Sequence, residues 1–125
     1  MAERFDPGAL LGSSFALGAG ARVRLRLARG SDAALIRSLV ARAGTLPEEI
    51  EFARLVHFDP RRRVVICATA LIDGAETLVG VGARDLDGDK PEVMIVDAEH
   101  ADALSSLLGA ALAARVTATG ASRAA

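Results

Sequence analysis

The sequence predicts an α+β domain in which about three helices cover a mostly antiparallel sheet of about four strands. Three observations point there. Arg22-Val23-Arg24-Leu25-Arg26-Leu27 alternates charged and aliphatic residues, the pattern of a strand with one buried face. Val64 to Ile72 is an apolar run that breaks at Asp73-Gly74, a dipeptide suited to a tight hairpin turn. Elsewhere, aliphatic residues recur at helical spacing between recognisable start and stop signals.

Taken in order, residues 1–20 are glycine-rich with little periodicity and read as an N-terminal arm. The domain proper is expected over 21–118, with 119–125 as a C-terminal tail. After the Arg22–Leu27 strand, Ser31 or Asp32 can cap a helix whose Leu35, Ile36, Leu39 and Val40 share one face and whose stop is Gly44. Thr45-Leu46-Pro47-Glu48 fits a capping box, opening a helix that buries Ile50, Phe52, Leu55 and Val56 and closes at Asp59-Pro60. The Val64–Ile72 strand pairs with a second from Glu76 to Arg84, where Gly80 and Gly82 allow close packing or a bulge. A loop over 85–90 leads to a third apolar strand, Glu92 to Val96, and a helix from about His100 to Val116 follows. Thr117 to Ala125 reads as a frayed end.

Composition narrows the function classes. The chain has 125 residues, suiting a single domain, and its 51% hydrophobic content includes no Trp, no Tyr and four Phe. The core is therefore aliphatic, and base-stacking platforms for single-stranded nucleic acid are scarce. Fifteen basic and sixteen acidic residues give a net charge of -1, with no general pull toward nucleic acid or an anionic membrane. The lone Cys67 excludes an intramolecular disulfide and suits a reducing, cytoplasmic setting, where it reads as a small buried hydrophobe. No apolar run is long enough to span a membrane, and the Ala9–Ala21 segment is too broken by Gly12, Ser13 and Ser14 for a signal peptide.

Arg24-Leu25-Arg26-Leu27-Ala28-Arg29-Gly30-Ser31-Asp32-Ala33 resembles the opening strand and first helical turn of the GNAT family of N-acetyltransferases. Leu78-Val79-Gly80-Val81-Gly82-Ala83, followed by Glu92-Val93-Met94-Ile95-Val96-Asp97, looks like that family's central hairpin and the strand after it. The resemblance covers residues 22 to about 116 and implies an acetyl-CoA-dependent transfer of an acetyl group to a small-molecule amine or protein acceptor. It places pantetheine beside Ile95, Val96 and Asp97, and the pyrophosphate near the helix start at Ala103, Leu104 and Ser105. By the same resemblance, Glu92 or Asp97 is the candidate general base, acting through water.

The residues of the phosphate loop depart from that pattern. A Gln/Arg-x-x-Gly-x-Gly/Ala loop brings bare backbone N–H groups to the pyrophosphate at a helix N-terminus. Here no glycine occurs from Asp89 to Leu108, the only Lys or Arg there is Lys90, and Asp97, Glu99 and Asp102 crowd the helix start. Carboxylates satisfy the helix dipole themselves, and one within about 4 Å of a phosphate costs up to roughly 4 kcal/mol in a partly screened site. The family's fold also continues with a further strand, helix and hairpin, and many members use as general acid a Tyr that this chain lacks. The expected function is thus a GNAT acetyltransferase homologue with weakened or lost catalysis. The alternative is a non-catalytic homodimeric assembly module, because an apolar strand at a sheet edge invites a cover.

Two clusters have simpler readings. Asp85-Leu86-Asp87-Gly88-Asp89 lacks the later ligands of an EF-hand loop and reads as a solvated turn, so no metal is expected. Arg61-Arg62-Arg63 could meet the nucleotide end of CoA, but beside Asp59 it reads as a turn with local ion pairs.

Overall fold

A computed structural model describes residues 14–16, 22–43, 55, 59, 61–72, 74–88, 93–97 and 100–124. Its frame is a five-stranded antiparallel sheet in the order β1 to β5. The strands are β1 (Ser14–Ala16), β2 (Arg22–Leu27), β3 (Arg63–Ile72), β4 (Ala75–Asp85) and β5 (Val93–Val96). Each strand lies beside its neighbour in the chain, so the sheet is a meander. A 3₁₀ turn over Gly30–Asp32 opens helix α1 (Ala33–Ala43), and helix α2 (Ala101–Ala124) follows β5.

The two helices lie on opposite faces, which explains why β3 is apolar without a break from Val64 to Ala68. Val65 and Cys67 join a core with Ile36, Leu39 and Val40 of α1, together with Leu78, Val81, Ala83 and Ile95. Val64, Ile66 and Ala68 point the other way, into a core with Leu104, Leu108, Ala111 and Leu112 of α2. A strand buried on both faces has no polar alternation to show. β2 buries only Val23 and Leu25, on the α2 side, so its arginines fall on the α1 side.

The β3–β4 ladder closes at Ile72 opposite Ala75, and Gly74 takes the positive φ of 79° that such a turn requires. Farther along, Ala68 faces Gly80 but Thr69 faces Leu78, leaving Val79 as the extra residue of a bulge. Val79 consequently packs on the α2 side beside Gly80.

Several expectations need adjusting. The sheet has a fifth strand, β1, lying within the stretch read as an arm. Among the described residues there are two α-helices, against about three expected. The helix read from Thr45 to Asp59 falls outside them except for Leu55, which is helical and fully buried in the α1-side core, and Asp59 itself. α2 runs on to Ala124, well past Val116, because an Ala-rich segment extends an existing helix at little cost. Among the described residues no helix is long and apolar enough to cross a membrane.

Candidate functional site

The site singled out by the sequence is the junction where β5 turns into α2. β5 is a charge-free Val-Met-Ile-Val strand paired to β4 from Val93–Ala83 to Val96–Gly80. At its end the Asp97 N–H donates to the carbonyl of the bulged Val79 at 2.8 Å, and the Asp97 carbonyl accepts the His100 N–H at 3.4 Å. The bulge thus anchors the strand end, and Asp97 starts the turn into the helix. Asp102 lies exposed in the first turn of α2, where its charge complements the helix dipole.

The helix sits unusually close to the sheet here. A Cβ on Gly80 would lie 2.9 Å from Leu108 Cδ1, and one on Gly82 would lie 2.9 Å from Leu112 Cδ1. The two glycines leave a shallow trough on β4, and Leu108 and Leu112, one turn apart, fill it.

The structure brings only part of the predicted set together. Val96 and Asp97 stand at the strand end, with Ala103 exposed and Ser105 half-buried near the helix start. Ile95 is turned to the opposite face, buried against the α1-side core. Leu104 is fully buried in the α2-side core, so its side chain packs the fold and faces no ligand. Its signal was in the sequence, since Leu104, Leu108 and Leu112 repeat every four residues as one helix stripe. Glu92 lies outside the described residues.

Charge is concentrated elsewhere. Arg26, from β2, donates to both carboxylate oxygens of Asp32 at 2.8 and 2.6 Å and to Glu76 Oε1 at 2.8 Å. Asp32 also accepts the Arg29 N–H at 2.6 Å, so the residue read as a helix cap caps the 3₁₀ turn while clasping a strand. The Arg26 guanidinium holds the Asp32 carboxyl below the usual carboxylate range, and Asp32 in turn raises Arg26. Cys67, directly opposite Arg26 in the ladder, is pushed up to about 12 by burial, which makes it an unreactive thiol. Both carboxylate oxygens of Asp32 are taken up by Arg26 and the Arg29 N–H, as in a structural tie. The sequence hid it because Glu76 is far along the chain.

The arginine triplet divides. Arg63 is buried and bonded to Asp85 at 2.7 Å, whereas Arg61 and Arg62 are exposed beside Asp59, whose backbone and side-chain oxygens organise the turn. Asp85 thus serves an ion pair, and among the described residues no group of three or more His, Cys, Asp or Glu is placed to hold a metal. Arg63 pairs with Asp85, five positions along β4 from the Gly80–Val96 pair, roughly 17 Å at strand spacing. That distance separates the Arg63–Asp85 pair from the Val96 end of β5.

No family model, curated protein or solved structure matches the chain significantly.

Proposed function

We propose that this chain is a GNAT-like acetyltransferase homologue that retains the strand-and-helix frame and has weakened or lost catalysis. Supporting the frame is the order of elements: a strand, a helix, a three-strand antiparallel meander and a long helix on the opposite face. The observation that carries the loss is the junction of β5 and α2. Asp97 and Asp102 stand where a pyrophosphate would need bare N–H groups, and Leu104 is spent in the core. An anion brought there meets carboxylates before it meets the helix dipole, and the repulsion exceeds what one dipole returns.

The test is calorimetric titration of the full chain with acetyl-CoA. The expected result is no saturable heat, corresponding to a Kd weaker than about 1 mM. Micromolar binding overturns the reading and restores Val96, Asp97, Ala103 and Ser105 as cofactor contacts, with an amine acceptor to be sought.

A second reading, a homodimeric assembly module on the same frame, is favoured by β5 itself. It is the last strand of the sheet among the described residues and carries no charge along its length.

A further inference from the structure

The phase of the β4–β5 ladder determines which backbone groups face outward. Val96 stands opposite Gly80, and the N–H of the next residue, Asp97, donates to the carbonyl of Val79, the residue before Gly80. That is the signature of a non-hydrogen-bonded pair, so Val96 turns its own N–H and C=O away from β4. The pattern alternates along the strand. Val93 and Ile95 therefore bond to β4, whereas Met94 and Val96 present their backbone groups at the edge. Among the described residues no strand meets them.

We propose that this edge is a homodimer interface in which β5 pairs antiparallel with β5 of a second copy, centred on Ile95. The proposal gives the assembly reading above its surface and register. A two-fold axis perpendicular to the sheet keeps each face on its own side, so only residues of one face can stand opposite each other. Every register centred on a residue of β5 satisfies this condition, and only the one centred on Ile95 pairs both outward residues within β5. Centring on Met94 pairs it with its own copy and sets Val96 against the position of Glu92. Centring on Ile95 pairs Met94 with Val96 twice, and four backbone hydrogen bonds satisfy every outward N–H and C=O of β5.

The side chains fit the same register. Met94 and Val96, both half-buried and packed on the α2 side, meet across the axis as apolar neighbours. On the α1 side Ile95 meets Ile95, and Asp97 meets Val93 and not another carboxylate. A second copy is the occupant this edge selects, because its outward positions and its uncharged residues answer themselves. The other edge strand, β1, spans only three residues.

Sedimentation equilibrium of the full chain and cysteine crosslinking test the proposal together. At about 100 μM a micromolar complex is almost wholly dimeric, so the expected mass is that of two chains. Ile95→Cys then places two thiols across a non-hydrogen-bonded pair, with Cα atoms about 4.5 Å apart and within disulfide reach. Mild oxidation should link most of this variant into dimers on a non-reducing gel. Met94→Cys alone should stay unlinked, because its own copy is a diagonal neighbour about 7–8 Å away. The wild-type chain, whose Cys67 is buried, is the background control. A monomer in sedimentation overturns the proposal. A dimer linked by Met94→Cys and not by Ile95→Cys overturns the register while leaving assembly standing, and neither result depends on acetyl-CoA.

Discussion

Among the described residues α1, with the helical Leu55, covers one face of the sheet and α2 the other, yet the two are closed by different physics. On the α2 face the strand gives up its side chains. Gly80 and Gly82 form a trough, and the fully buried Leu104, Leu108 and Leu112 fill the space with dry aliphatic packing. On the α1 face, among the described residues, Ile36, Leu39 and Val40 of α1 and the helical Leu55 are buried, and polar contacts complete the closure. Arg42 donates to the Leu78 carbonyl at the bulge, and Arg26 clasps Asp32 and Glu76. One face is therefore sensitive to shape and the other to charge.

The largest effects are expected where shape decides. Leu112→Ala removes a fully buried side chain and should cost about 2–5 kcal/mol in urea denaturation. Gly82→Ala adds a methyl against Leu112 Cδ1 and against Met94 and should cost about 1–3 kcal/mol. The double variant sharpens the comparison, because the new methyl enters the space the leucine vacated. Its cost should fall short of the sum of the singles by at least 0.5 kcal/mol, on the order expected for touching residues. Strict additivity would mean that Leu112 and Gly82 do not share the contact the trough implies.

The second prediction concerns charge. Asp32 is almost fully buried, and its partner Arg26 is largely so. Asp32→Asn weakens three charge-assisted hydrogen bonds, two from Arg26 and one from the Arg29 N–H, and should cost about 1.5–3 kcal/mol at neutral pH. The folded-state value of Asp32 lies below that of the unfolded chain, so the carboxylate's contribution is present above about pH 4. It is lost as pH falls through the lower folded value. Wild-type stability should therefore decline more steeply below about pH 4 than that of Asp32→Asn. Leu112→Ala should lower the whole pH profile without changing its slope, and equal acid slopes for wild type and Asp32→Asn would remove charge as the agent closing the α1 face.

How much of this was legible follows from which signals are local. The β2 alternation, the β3–β4 hairpin and α1 were all marked within a few residues of chain, and each lies where its pattern put it. The role of Gly80 and Gly82 was half legible: glycines in a strand announce a bulge or a close approach, and here Val79 makes the bulge while the glycines receive the helix. β1 was not legible, since three residues cannot show a period, and its pairing with β2 is tertiary. At the candidate site, Asp97 was placed correctly at the strand end. Ile95 and Leu104 were assigned to a ligand by resemblance, although the same two periodicities, two along a strand and four along a helix, assign them to the two cores.

The smallest effect is expected where neither apolar layer reaches. Leu71 and Ile72 are adjacent on β3 and so point to opposite faces, yet they are 77% and 48% exposed. The hairpin tip therefore extends past both apolar layers, and among the described residues only the exposed Glu76, opposite Leu71 and bonded to Arg26, ties it back. Leu71→Thr should change stability by less than about 0.5 kcal/mol. Val65→Thr, six residues earlier and on the same face as Leu71, places a hydroxyl inside the α1-side core and should cost about 1–3 kcal/mol. The same β-branched polar side chain thus measures where the layered structure ends along a single strand. Comparable losses at the two positions would mean that the tip is held by contacts its exposure does not reveal.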